Sequence, residues 1–402
     1  MRLNAAAPAE GSNDVIGHPR TACVIGAGIG GLAAAVALVG QGWTVRVFER
    51  GGGPRTSGGG IGLTPNGLHA LNRLGVGDRI RSVSVPQLAG GVRTPSGRWL
   101  ARSDLTFVQR RYGEGIRALR RTELTAALAA ALPAGTLRFG VDARLRWPGG
   151  PAELAVVDAA GESVSVALVV AADGIRSAAR SVLYPDHPGL RHCGITSWRA
   201  VAPADGLAVV PAETWGAGHR FSVLPLPGGE VHFSALARIR DGRSGWGVPA
   251  EFARWHHPIP ELLARVAAAE LFRDGIEELV RPVAALTTGR VALVGDAGHP
   301  MTPNVGSANL ALEDAVVLGH EVGSATAWPG LRAGLCHYDQ QRRPRTSRLA
   351  VLSRRAGRAA ELSGPGAVAV RNAAVRIGGL LPEAVSRRSL DLIAGWRPPG
   401  RD

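Results

Sequence analysis

The stretch Thr21-Ala22-Cys23-Val24-Ile25-Gly26-Ala27-Gly28-Ile29-Gly30-Gly31-Leu32 decides the fold. Thr21 to Ile25 is a short β-prone apolar run, and an Ala-rich helical pattern follows from Gly30 to Val39, so the segment reads strand, tight turn, helix. In Gly26-x-Gly28-x-x-Gly31 the first glycine permits the turn. The second lets a pyrophosphate approach the backbone, and the third lets helix pack on strand. The helix N-terminus then faces the anion. Trp43 to Phe48 is a second strand ending at Glu49 and Arg50, close to where a carboxylate takes ribose hydroxyls. A glycine-rich turn alone is often only a turn; strand, helix and Glu49 in register make it a dinucleotide site.

Working outward, a Gly-rich loop from Gly51 to Gly60 leads through Ile61-Gly62-Leu63 to a helix with Thr64 as N-cap and Pro65 at its first position. Leu68, Leu71 and Leu74 give that helix a buried face. Thr122 is read as the cap of a helix through Leu124, Leu128 and Leu132. Strands Ala155 to Asp158 and Ser163 to Val170 flank a hairpin turn at Ala159-Ala160-Gly161, and the second arm delivers Asp173-Gly174. Gly194 to Arg238 is β-rich, with Leu224 to Gly229 joining two strands. Val291 to Val294 is a buried parallel strand that returns to the first domain and delivers Gly295-Asp296. Gly306 then precedes a helical stretch with Leu310, Leu312 and Val316, and the chain is mostly helical from about Trp328.

The fold class expected is α/β: a discontinuous Rossmann-like domain over 20–183 and 274–346, an inserted antiparallel β-sheet domain over 184–273, and a helical C-terminal region over 347–402. Residues 1–19 read as a flexible tail.

Composition sets bounds. The 402 residues suffice for two or three domains, and 45% hydrophobic against 19% charged residues is a globular balance. The apolar runs are too short for a transmembrane helix, and the N-terminus lacks the apolar core of a secretory signal. Cys23, Cys193 and Cys336 are odd in number and far apart, which suggests neither disulfides nor a metal site; a cytoplasmic location is the default. All 46 basic residues are Arg, with no Lys. That excludes Walker-type phosphate binding, Schiff-base catalysis and lysine-dependent flavin halogenation. The net charge of +14 raises the question of nucleic acid. Yet the densest cluster, Arg342, Arg343, Arg345, Arg348, Arg354, Arg355 and Arg358, alternates with Leu349 and Leu352 at helical spacing and has few aromatics to stack on bases. It reads as a solvated helix face, and no nucleic-acid partner is expected.

Asp173-Gly174-x-x-Ser177-x-x-Arg180 and Gly295-Asp296-Ala297-Gly298-His299-Pro300 both end strands. In each, a carboxylate can accept hydrogen bonds from sugar or ribityl hydroxyls beside phosphate-facing N–H groups. In this order the three segments resemble the FAD-dependent aromatic hydroxylases, the single-component flavoprotein monooxygenases of the salicylate and urate hydroxylase type. The likeness runs from about Thr21 to Pro399. Trp198-Arg199, Thr214-Trp215-Gly216-x-Gly218-x-Arg220-Phe221 and Pro225-Leu226 resemble substrate-domain strands of that group.

The resemblance implies that Gly26, Gly28, Gly31, Glu49 and Arg50 hold the ADP part of FAD. It implies that Arg121 lies near the flavin phosphates, that Asp173 touches FAD and the nicotinamide cofactor, and that Asp296 holds the ribityl chain and pyrophosphate. Pro303 and Gly306 belong to the loop against the flavin ring, which carries Gly306-Ser307 where the family has Gly-Gln-Gly, one residue fewer. The implied cycle has NADPH or NADH as transient reductant of FAD and O2 adding to give a C4a-hydroperoxyflavin. A small electron-rich aromatic or enol-type substrate then takes one oxygen atom. No metal is implied. Arg199, Arg220 and His232 are the candidates for favouring an ionised substrate, although each also reads as an ordinary strand residue; His299 reads as structural. The shortened loop keeps two alternatives open: a flavin-dependent oxidoreductase or cyclase that inserts no oxygen, and a small-molecule-binding protein with impaired FAD binding. No sequence feature sets an oligomeric state.

Overall fold

The computed structural model describes residues 20–54, 58–146, 150, 153–238, 247–380 and 390–400. The tail expected over 1–19 lies outside them. Strand Thr21–Ile25 pairs in parallel with Thr44–Glu49 on one side and with Leu168–Ala171 on the other. The sheet extends to Leu137–Phe139 and to Val291–Leu293, both parallel, and ends on the short antiparallel Thr287–Thr288. Val24, Val47, Val170 and Leu293 are wholly buried, as strands covered on both faces require. Helices Ile29–Val39 and Ser307–Val322 pack on each other. Small residues make this possible: a Cβ at Gly319 would lie 2.7 Å from the Ala37 side chain, and one at Gly30 3.3 Å from Ala311.

The second sheet has seven strands in the order Phe272–Leu279, Leu190–Pro203, Glu230–Arg238, His219–Leu226, Ala212–Trp215, Ala89–Arg93 and Trp99–Asp104. All pairs are antiparallel except Ala212–Trp215 with Ala89–Arg93. Trp198, Phe221, Phe233 and Phe252 fill its core, with the Phe221 and Phe233 rings stacked at 5.3 Å. Strands 89–93 and 99–104 come from far upstream of the stretch expected to build this sheet, and strand Phe272–Leu279 runs across its expected end. Neither carries an alternating pattern; Trp99 is held instead between the guanidinium groups of Arg93, at 3.9 Å, and Arg102, at 4.7 Å.

Other expectations shift locally. The hairpin forms with Ala160 and Gly161 at positive φ, but its second arm divides into Glu162–Val166 and Leu168–Ala171. The break falls at Ala167, whose N–H donates to Thr21 Oγ1 as the chain passes from the small sheet to the parallel one. The helix expected to be capped by Thr122 begins at Arg121, because Arg120 is already extended. Thr64 does precede helix Pro65–Arg73, yet its hydroxyl donates to Asn66 Oδ1 at 2.6 Å rather than capping the backbone. One helix, Trp328–Ala360, runs unbroken past residue 347, and Pro365–Leu380 follows it. No described helix is long and apolar enough to cross a membrane.

The tight contact between the two helices yields a stability test. Gly319→Ala must push Ala37 away and should lower stability by about 1–3 kcal/mol in urea denaturation. Gly366→Ala, with nothing within 4 Å of the new methyl, should not.

Candidate active site

The three glycine-bearing turns lie side by side, because strands Thr21–Ile25, Leu168–Ala171 and Val291–Leu293 are neighbours and all point the same way. Ligands of open α/β sheets bind at this carboxyl end. At Gly26, φ is +102° and a Cβ would sit 2.5 Å from the Ala172 carbonyl; at Gly31 it would sit 1.9 Å from the Gly26 carbonyl. The fold itself thus requires both glycines. Gly28 differs: nothing lies within 4 Å of its Cβ position, so its face is open to an approaching group. Glu49 accepts the Ala27 N–H at 2.8 Å and the Gly51 N–H at 2.9 Å, which fixes its carboxylate beside the turn with lone pairs remaining. Arg50 is exposed just beyond.

Asp173 Oδ2 accepts the Ala179 N–H at 3.1 Å, while its Oδ1 is buried without a partner. Ser177 caps the following helix by accepting the Arg180 N–H at 2.9 Å. Arg180 was visible in the motif, but nothing in the sequence assigned it a role. Its guanidinium donates to the carbonyls of Ile175 at 2.6 Å, Ala297 at 2.9 Å and Asp296 at 3.2 Å, tying the second turn to the third. Burial pushes the Asp296 carboxyl up, and the charges of His299, Arg121 and Arg180 pull it back. Arg121, exposed at the start of its helix, is held there by its N–H bond to the Gly59 carbonyl at 3.0 Å.

Beneath the third turn lies a buried ionic cluster. Arg342 donates to Glu313 at 2.6 Å and to Asp314 at 2.7 Å, all three being within 1% of full burial. Arg345 adds two bonds to Glu313 at 2.7 Å, and Asn66 donates to Glu313 at 2.7 Å. Asp314 also accepts the Gly295 N–H at 2.9 Å and His299 Nε2 at 2.5 Å. Burial would raise the Asp314 carboxyl, but His299 and Arg342 hold it below the ordinary range. Arg342 and Arg345 therefore do not belong to a solvated face as expected; they are matched to carboxylates one helix away, a pairing that periodicity does not encode.

The loop before helix Ser307–Val322 is pinned. Thr302 Oγ1 and Ser353 Oγ are 2.8 Å apart, Asn304 Nδ2 donates to the Ser353 carbonyl at 2.9 Å, and Gly306 turns at φ +78° straight into the helix. Asn309, in the first turn, accepts the Thr64 N–H at 3.3 Å and donates to the Gly62 carbonyl at 3.2 Å. A Cβ at Gly67 would lie 1.9 Å from its Oδ1.

That loop forms one wall of a cavity of about 280 Å³, the other walls being the second sheet and the end of the long helix. Thr302, Pro303 and Asn304 line it, with Arg220 opposite. Arg220 is 5% exposed, yet its nearest carboxylates, Glu213 at 3.6 Å and Glu361 at 3.9 Å, are beyond hydrogen-bond reach and its Nε has no partner. Arg199 and His232 do not line this cavity. Arg199 pairs with Asp274 at the sheet surface. His232 packs on Gly59 and Gly60; its Nδ1 meets the Ala200 carbonyl at 3.0 Å and its Nε2 the Ser234 hydroxyl at 3.2 Å. Burial lowers its pKa to about 4, so the ring is neutral.

A family model described as an FAD binding domain matches residues 20–353. The chain is 31% identical to the aurachin C monooxygenase/isomerase of Stigmatella aurantiaca over 89% of this chain and 94% of that one. It is 34% identical to the 3-amino-4-hydroxybenzoate 2-monooxygenase of Streptomyces cremeus over 84% and 86%. The crystal structure of Klebsiella pneumoniae HpxO complexed with FAD and uric acid superposes with a TM-score of 0.83 at 27% identity, covering 93% of this chain and 96% of that one. The chain belongs to the FAD-dependent aromatic hydroxylases. It is an FAD-dependent monooxygenase, and neither alternative drawn from the short loop is better supported. The turns fit the cofactor: one glycine face is open, and one buried carboxylate oxygen lacks a donor.

The cluster under the third turn can be tested directly. Arg342→Met leaves buried Asp314 without its arginine and Glu313 with Arg345 alone, and should cost about 3–5 kcal/mol in urea denaturation, whereas exposed Arg348→Met should stay within about 0.5 kcal/mol. Because the Asp314 carboxyl is held low, its contribution is present above the usual carboxylate range and lost as pH falls below about 4. An acid titration of folding should show this loss.

Proposed function

We propose that this hydroxylase acts on a small aromatic or enol-type molecule that binds in the Arg220 cavity as an oxyanion or carries an anionic group. The observation that supports this reading is Arg220, a desolvated guanidinium with no hydrogen bond, facing a cavity walled by the Thr302–Asn304 loop. Such a group stays desolvated at a cost unless a ligand accepts from it. Arg238 and Arg358, also on the cavity, have no ion-pair partner among the described residues. Arg191 and Arg354 share the single carboxylate of Glu278. The cavity is therefore cationic.

On this reading Gly26, Gly28 and Gly31 cradle the pyrophosphate, with the N-terminus of helix Ile29–Val39 facing it. Glu49 and Arg50 hold the adenosine end, Arg121 and Asp296 the ribityl and phosphate region, and Asp173 offers its unpartnered oxygen to a hydroxyl. Bound FAD, reduced by NADH or NADPH, supplies the chemistry that activates O2. The protein's own work is positional. Gly306 starts the helix whose first N–H groups would hold the flavin ring, Pro303 and Asn304 line the cavity on that side, and Arg220 would stabilise negative charge on the substrate.

Two measurements check these roles. Gly28→Ala adds a methyl with nothing of the chain within 4 Å, so the variant should fold with wild-type secondary structure yet purify with most of its yellow colour lost. Against a panel of phenols, quinolones and polyketide-like aromatics, scored by oxygen uptake and by product mass from labelled O2, anionic members should be preferred. Arg220→Gln should then raise KM about 10- to 100-fold, while Arg199→Gln should not. Preference for neutral members would overturn the substrate class.

A further inference from the structure

Glu361 is the second desolvated charge in the cavity, and neither sequence motif nor resemblance points to it. It follows helix Trp328–Ala360 directly, is 4% exposed, and lines the cavity. Its carboxylate makes no hydrogen bond among the described residues, and its one ion-pair neighbour is Arg220, with Oε1 and Nη2 3.9 Å apart. That gap is too wide for a direct bond and suited to a bridge. An oxygen placed about 2.8 Å from each atom accepts from Arg220 and donates to Glu361 at once. The carboxylate also lies next to the Thr302–Asn304 loop: a Cβ at Gly357 would stand 3.8 Å from Glu361 Oε1 and 2.7 Å from Asn304 Nδ2.

We propose that Glu361 accepts the proton from an acidic O–H or N–H of the substrate, while Arg220 holds the anion so formed. The inference rests on the cavity being the substrate site. In the step, the substrate O–H bond breaks, the proton moves to Glu361 Oε1, and the electron pair remains on the substrate oxygen. The anion is the more electron-rich form for oxygen transfer, and no further reagent is needed.

The surroundings suit this role. Burial raises the Glu361 carboxyl above its ordinary value, and Glu213 on the sheet adds to that rise, against the charges of Arg220 and Arg238. The C-terminal end of its own helix also disfavours a negative charge there. From the next helix, Arg371 donates to the Ala360 carbonyl at 2.7 Å and to the Gly216 carbonyl at 3.0 Å. Arg358 lines the cavity from helix Trp328–Ala360. On the opposite wall Glu278 is taken by Arg191 and Arg354, and His192 Nδ1 accepts the Gly194 N–H at 2.9 Å. Burial pushes the Cys193 thiol up to about 11, so it remains neutral. Among the described residues Glu361 is the cavity carboxylate that accepts no hydrogen bond.

The test compares the best oxygenated phenol of the panel with its nitro-substituted analogue, assayed about one pH unit above that analogue's own ionisation, where it is already an anion. Glu361→Gln should lower kcat/KM for the phenol about 100-fold at neutral pH. It should also remove the acid limb of the wild-type pH profile and recover as pH rises toward the phenol's own ionisation. On the nitrophenol most of the deficit should close, and Glu361→Asp should restore part of the rate. FAD content and melting temperature serve as the fold control. A Glu361→Gln variant equally impaired on both substrates, or indistinguishable from wild type on both, overturns the proton-transfer role while leaving the cavity reading intact. A wild type that oxygenates no ionisable aromatic overturns the cavity reading itself.

Discussion

The pairing of Arg342 with Glu313 and Asp314 is the constraint on which the site depends. Two adjacent carboxylates on one helix, both sealed from water, repel each other and could not remain ionised without a shared cation. Arg342 supplies it from the long C-terminal helix, and Arg345 supplies a second. Because Asp314 also holds the Gly295 N–H and His299, and Glu313 also holds Asn66, the cluster sets the positions of the third turn and of helix Pro65–Arg73 together. Lowering the charge of any member would loosen elements that are remote in sequence.

Close backbone approach does the complementary work. Gly26 and Gly31 let the first turn fold onto itself and onto Ala172, and Gly30 and Gly319 let two helices meet at small side chains. Arg180 then spans the second and third turns through three carbonyls, so that the three loops behave as one surface. The short loop after Pro303 fits this frame. Its Asn304 donates to the Ser353 carbonyl, which ties it to the long helix.

The parallel sheet and its three turns were legible in the sequence, because each is encoded locally: an apolar run, a glycine where φ is positive or approach is close, then a helical pattern. The hairpin at Ala160 and Gly161 was legible for the same reason. What escaped was set by partners distant in the chain. Strands 89–93 and 99–104 are short and lack alternation, and only the sheet edge at Ala212–Trp215 makes them strands. Arg342 has the same helical spacing as Arg348, yet one is buried and the other exposed, because only one meets carboxylates across the helix interface. Arg220 was visible as a motif residue, but its missing hydrogen bonds were not. Glu361 sat in an unremarked stretch after a helix.

The absence of lysine gives the cavity a particular electrostatic character. Guanidinium groups do not lose their proton in a protein, so the positive side of this cavity is constant over any working pH. Its neutral groups do not change that balance: His232 lies outside the cavity and is uncharged, and the Cys193 thiol is raised too far to ionise near neutrality. Glu278 is locked between two arginines. Among the described cavity carboxylates Glu361 alone accepts no hydrogen bond from a cation, and the 3.9 Å gap between it and Arg220 is where a bound ligand can share its proton.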